Sequence, residues 1–192
     1  MVRLGILGGT FDPPHVGHLL LAEDAFDGLR LDRLIFVPAA AQPLKRERLA
    51  APPEHRLAMV RAMVADDPRF EVSAEEVERG GLSFTVDTLR HFSARYPDAE
   101  RFLLLGADVL SSFGQWREPA AVVRLAQPVV MQRAGSPSET GDVEGVTPRR
   151  LETRRVDVSS TEIRERVRKG LPIRGFVTDG VAAIIARLGL YR

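Results

Sequence analysis

In this 192-residue chain the residues best suited to chemistry fall in GGTFDPPHVGHLLLAEDA, residues 8–25. The chain has four histidines, and two of them, His15 and His18, stand three positions apart here. Imidazoles at that spacing can donate hydrogen bonds to phosphoryl oxygens as negative charge builds on them. A helix beginning near Val16–Gly17 adds unpaired N–H groups and a positive dipole end for the same anion. Gly8 and Gly9 read as the turn that leaves the carboxyl end of a strand, where a ligand can approach the amides closely. Pro13 and Pro14 hold the segment extended before the helix. Neither G-x-x-x-x-G-K-[ST] nor G-x-G-x-x-G is present, so this is not one of the familiar phosphate loops. Two other readings stay open for the residues alone. The histidines can be cap or surface residues, or a zinc pair, although the segment offers only Asp12 as a third ligand and helical zinc pairs prefer i, i+4.

A second stretch, VDVSSTEIRERVRKG (156–170), carries compatible chemistry. Ser159 followed by Glu162 matches an S-x-x-E capping box, which predicts a helix start. That start brings the hydroxyls of Ser159, Ser160 and Thr161, free N–H groups and, one turn in, Arg164. Read alone it is equally a plain cap with a solvated basic face. Read with the histidine segment, it predicts two helix beginnings that converge on one triphosphate.

Elements must position these groups. Val2–Leu7, Leu34–Val37, Phe102–Leu105 and Pro128–Met131 are short aliphatic runs that read as buried strands. Helical spacing recurs in Leu19, Ala22, Phe26 and Leu29, in Leu57, Val60 and Val64, in Val86, Leu89 and Phe92, and in Val181, Ile184, Ile185 and Leu188. Buried strands alternating with helices predict an α/β fold: a Rossmann-like three-layer parallel sheet with helices on both faces. Residues 38–54 and 134–148 read as exposed loops, the first a flap over the strand ends where ligands collect in such folds. The length predicts one domain, 1–192. Twenty-seven basic and 26 acidic residues leave a formal charge of +1, which gives no global drive toward nucleic acid or membrane. The absence of cysteine excludes disulfides, thiolate catalysis and cysteine-held metals. No secretory signal or membrane-spanning run is evident, so a cytoplasmic location is the default expectation.

The motifs resemble those of a known family. GGTFDPPHVGHL is similar to the signature of nucleotidyltransferases that share H-x-G-H, and Ser159–Arg164 is similar to their S-S-T-x-x-R. ERGGLSFTVDTL (78–89), LLLGADVLSSFGQW (103–116) and LAQPVVMQRAG (125–135) resemble, in order and over nearly the whole chain, blocks of the bacterial nicotinate mononucleotide adenylyltransferases. The resemblance implies transfer of AMP from ATP to nicotinate mononucleotide, with pyrophosphate released and Mg²⁺ held mainly by the ATP phosphates, not by a protein metal site. It implies catalytic roles for His15, His18, Lys45 and Arg164. ATP contacts are implied at Gly8, Gly9, Thr10, Phe11, His15, His18, Gly106, Asp108, Ser159, Ser160, Thr161 and Arg164. Mononucleotide contacts are implied at Lys45, Thr85, Trp116 and Arg133, with backbone amides near Thr85 receiving the pyridine carboxylate. On their own, Trp116 reads as packing, Asp108 equally as a helix cap or a ribose ligand, and Arg133 as a solvated charge.

Three departures stand out: QPLK (42–45) where the family has Pro-Pro-His-Lys, Phe84 where Tyr is more usual, and FVTDGVAAII (176–185) without the usual proline and tyrosine. Rival readings are a sister adenylyl- or cytidylyltransferase acting on phosphopantetheine or glycerol phosphate, and a non-catalytic nucleotide sensor. PRRLETRR (148–155) raises RNA binding, against which stand interleaved acids and few aromatics. The expected partners are therefore ATP and nicotinate mononucleotide, with no nucleic acid and no membrane; a homo-oligomer stays open.

Overall fold

A strand buried on both faces needs apolar side chains pointing each way, and these runs supply them. Leu34 and Phe36 pack with Leu7, Phe102 and Leu104 on one face, while Ile35 and Val37 pack with Leu4, Ile6, Leu103 and Leu105 on the other. The computed structural model, which describes residues 1–43, 50–135 and 145–192, places them in a six-stranded parallel sheet. The strands are β1 (Arg3–Gly9), β2 (Arg33–Pro38), β3 (Phe70–Val72), β4 (Glu100–Gly106), β5 (Gln127–Arg133) and β6 (Arg149–Thr153). Their order is β3-β2-β1-β4-β5-β6. The chain goes outward one way from β1 to β2 and returns past it to β4, so the sheet's topological switch lies between β1 and β4, where ligands collect in such sheets.

Helices cover both faces, as expected. On the first lie α1 (Val16–Leu29), α2 (Pro53–Val64), α6 (Ser160–Arg168) and α7 (Asp179–Leu188), which contribute Ala22, Ala25, Met59, Val60, Ile163, Val181 and Ile185. On the second lie α4 (Thr85–Arg95), a 3₁₀ helix (Ala107–Gln115) and α5 (Pro119–Leu125), which contribute Val86, Leu89, Phe92, Phe113 and Val122. A short α3 (Glu75–Arg79) leads into α4.

The structure differs from the sequence reading in several places. The 38–54 segment ends in helix, since Pro53 opens α2 with the fixed φ that suits a first turn. In the terminal stripe Leu188 is turned outward, and Tyr191 beyond it is buried instead. The basic 148–155 stretch, which raised RNA binding, is largely strand β6, paired with β5 from Val129↔Arg149 to Arg133↔Thr153. Of the 134–148 loop, residues 136–144 lie outside the described residues.

Candidate active site

Strand β1 continues through both glycines, with Gly8 opposite Val37 and Gly9 opposite Pro38. The glycines are therefore the strand's last two residues and not its turn. The chain leaves the sheet at Phe11, whose φ of 50° is left-handed, and the Phe11 ring folds back so closely that a Cβ on Gly9 would lie 2.8 Å from it. That ring is buried, packed against Phe36 and edge-on to His18 at 5.0 Å between centroids. Phe11 thus serves the loop's shape, and any ATP contact falls to its main chain.

Asp12, the third ligand a zinc reading would need, is already engaged. Its carboxylate accepts from the Ala50 N–H (2.7 Å), the Ala51 N–H (3.1 Å) and the Tyr191 hydroxyl (2.8 Å). Burial first, and then the Asp12 charge, push the Tyr191 phenol above its ordinary range, which keeps it a donor. Beside it Arg56, fully buried, donates to the carbonyls of Ala51, Thr10 and Ala40. Each of these buried polar groups has partners, so the loop is held as a rigid unit.

His15 is the N-cap of α1 and His18 its third residue. The His15 N–H donates to His18 Nδ1 at 3.2 Å, so an imidazole does what a Glu does in a capping box. With Nδ1 accepting, a neutral His18 carries its proton on Nε2. The two rings lie 3.8 Å apart. His15 is buried, and burial, helped by the Arg133 charge, pulls its pKa down to about 4. Its Nδ1 is buried without a hydrogen-bond partner, and a Cβ at position 17 would come within 2.9 Å of that atom. The glycine between the histidines is there to make room for the ring. One expectation is corrected: the Val16 N–H at the helix start is not open to an anion, because it donates to the Phe176 carbonyl at 2.9 Å.

The second helix start meets the first loop. Ser159 caps α6 by accepting from the Glu162 N–H. The Ser160 hydroxyl donates to the Pro13 carbonyl at 2.8 Å. Arg164 Nη1 donates to the Asp12 carbonyl at 2.8 Å and Nη2 to Thr161 Oγ1 at 3.2 Å. The hydroxyl cluster and the histidine loop, 147 residues apart for Ser160 and Pro13, are thus in direct contact.

A cleft of about 710 Å³ lies over the ends of β1, β2 and β4, with Gly8 and Gly9 in its lining. Thr85, Gly106, Asp108 and Trp116 line it too. Thr85 is the first residue of α4. Trp116 is stacked on Phe113 at 4.9 Å. Asp108 is not a cap, since Gly106 is the N-cap of the 3₁₀ helix and no side chain caps it. His15, His18, Ser159, Ser160, Thr161 and Arg164 are not among the cleft's lining residues. Arg133 ends β5, near enough for its charge to act on His15. Lys45 lies outside the described residues, and no three His, Cys, Asp or Glu side chains among the described residues group so as to hold a metal ion.

Sequence reasoning missed the supporting residues Arg56 and Tyr191 and gave Asp12 only a ligand's part. It also passed over two groups that line the cleft. Glu76 is a buried carboxyl that accepts from Thr88 Oγ1 at 2.6 Å, and its pKa is raised by burial. Arg117 sits over the Phe84 ring. Both fall just outside the blocks singled out, Glu76 two residues before ERGGLSFTVDTL (78–89) and Arg117 one residue after LLLGADVLSSFGQW (103–116).

Comparison with known proteins agrees with this geometry. A family model described as cytidylyltransferase-like matches residues 6–166. A probable nicotinate-nucleotide adenylyltransferase of Gemmatimonas aurantiaca is 50% identical over 197 residues, covering 100% of this chain and 93% of the relative. One of Roseiflexus sp. is 46% identical, covering 98% of each. Among solved structures, the Plasmodium falciparum nicotinic acid mononucleotide adenylyltransferase complexed with NaAD superposes with a TM-score of 0.77 at 17% identity, covering 100% of this chain and 98% of that one. That likeness bears on the fold. No described helix is long and apolar enough to cross a membrane.

Proposed function

We propose, on the premise that this chain belongs to the cytidylyltransferase-like family and within it to the nicotinate-nucleotide adenylyltransferases, that it transfers the adenylyl group of ATP to nicotinate mononucleotide. The products are nicotinate adenine dinucleotide and pyrophosphate, a step of NAD biosynthesis. The observation that carries the site assignment is the contact between the two helix starts, through Ser160 on Pro13 and Arg164 on Asp12. It brings the hydroxyl cluster and Arg164 against the loop that carries the histidines, which supports reading the two as one cradle for a triphosphate.

The acceptor's 5′-phosphate oxygen attacks the α-phosphorus in line, a P–O bond forms, and the bond to the departing pyrophosphate breaks. The nucleophile is already anionic and needs no general base, so catalysis is positioning plus charge neutralisation. His18, held by the His15 N–H, presents its Nε2 proton to the α-phosphoryl oxygens. Burial keeps the His15 ring neutral in the ligand-free protein, and a neutral ring still has one N–H to donate likewise. Arg164 and Lys45 take up charge on the pyrophosphate. Mg²⁺ would be carried mainly by the ATP phosphates and would supply further charge neutralisation there. The acceptor's ring takes the cleft beside Trp116 and Thr85 with its phosphate toward Arg133, while Asp108 accepts from the ribose hydroxyls of ATP. Residues 1–192 act as one nucleotidyltransferase unit, and we place it in the cytoplasm.

The test pairs ATP with nicotinate mononucleotide, nicotinamide mononucleotide and phosphopantetheine, with and without Mg²⁺, and follows pyrophosphate. The expected result is steady turnover with the first and none with the last. Turnover on phosphopantetheine alone would move the protein to a sister activity. In the same assay His18→Ala, losing one donor at a developing charge worth about 3 kcal/mol, is expected to lower kcat at least about a hundredfold. A folded, fully active variant removes His18 from the mechanism.

A further inference from the structure

The cleft's lining carries three ionisable side chains of known placement: Glu76, Asp108 and Arg117. Arg117 is the one cation among the described lining residues, and nothing above uses it. It follows Trp116 directly in sequence. Its guanidinium lies 4.9 Å from the centroid of Phe84, the residue before Thr85, so it is fixed over the same wall that presents Trp116 and Thr85. Its Nη1 donates to Asp87 Oδ2 at 3.3 Å, and Nε lies 3.9 Å from Glu118 Oε1. Arg90 binds the same two carboxylates. Asp87, Glu118 and Arg90 do not line the cleft. Arg117 is thus part of the cleft wall, while the carboxylates that pair with its guanidinium belong to residues outside the lining.

We infer that the Arg117 side chain is a specificity-determining residue, the group that makes this cleft favour a pyridine ring bearing a carboxylate over one bearing a neutral amide. The inference rests on the acceptor assignment made above. A ring laid against Trp116 brings its substituent toward the neighbouring guanidinium. An anionic substituent gains from that charge, and a neutral amide gains little. Removing the guanidinium also takes one of two arginines from Asp87, leaving it Arg90 alone, so that more of its negative charge acts on an acid and little on an amide.

The test measures kcat/KM for nicotinate and nicotinamide mononucleotides, each at saturating ATP, in wild type, Arg117→Met, Arg117→Lys and the double variant Arg117→Met with Asp87→Asn. Arg117→Met is expected to lower the acid-to-amide ratio by about tenfold, mainly through the acid's KM, with the KM for ATP unchanged. Arg117→Lys keeps charge without the planar stack and should hold most of the ratio. The double variant should recover part of what Arg117→Met loses. A ratio unmoved by Arg117→Met, or an equal loss on both acceptors, overturns the inference. If wild type uses neither pyridine acceptor, the acceptor assignment itself has failed, which is a different result.

Discussion

His15, to which a catalytic part is proposed, shows how burying one imidazole costs acid stability. Folded, it takes up its proton near pH 4; unfolded, near its ordinary 6.5. Between those values the unfolded chain binds more protons, so acid favours unfolding. The stability held by neutral His15 is fully present above pH 6.5 and is lost as pH falls toward 4. From pH 7 to pH 5 the loss amounts to about 2 kcal/mol. Urea unfolding of wild type and His15→Gln at both pH values should show the wild type losing that much more than the variant. Parallel losses would mean that the imidazole is not shielded from water as the structure has it. Gly17 belongs to the same arrangement, since any side chain there meets the buried Nδ1.

Elements turn such residues into a site by meeting one another. The start of α6 is fastened to the histidine loop by the Ser160 hydroxyl and by Arg164. A neutral hydrogen bond contributes about 1 kcal/mol net, so Ser160→Ala should raise the KM for ATP roughly fivefold while the acceptor's KM stays put, since Ser160 does not line the cleft proposed for the acceptor. Equal rises for both substrates in steady-state kinetics would show instead that α6 supports the whole molecule and not the ATP side. Much of this was readable beforehand. The aliphatic runs around Ile6, Phe36, Leu104 and Val130 have no reading but buried strand, and Ser159 with Glu162 announces the helix start that Ser159 does cap. Other parts could not be read. The Gly8–Gly9 pair looks like a turn because glycine is rare inside strands, yet here the residue that turns is Phe11. Strand β3 is three residues long, too short for any period to show. Arg117 could not be singled out, because its placement over Phe84 shows only in the fold.

At the scale of the molecule, the loop that carries the histidines is fixed by residues from far along the chain. Asp12 accepts from Tyr191, 179 positions away, and Arg56 gathers three carbonyls from segments on either side. No pattern of spacing could have linked these residues, because only the sheet order and the packing of α7 on α2 bring them together. A buried hydrogen bond to a charged group contributes about 2 kcal/mol. Tyr191→Phe should therefore lower unfolding free energy by about that amount in chemical denaturation, although it removes a single oxygen. A loss within error would show that water replaces the phenol at Asp12.

Strand β6 has a consequence of another kind. It ends the sheet among the described residues, and its outer rim offers backbone groups on which any passing extended chain could add itself. The strand reads Arg-Arg-Leu-Glu-Thr, with Arg149 and Glu152 exposed. Those side chains made the segment look like anything but a strand, and they are also what makes docking there costly for a stranger. Exchange them for valine and threonine, and the strand would become easy to recognise, both for a reader of the sequence and for the next molecule in a concentrated solution.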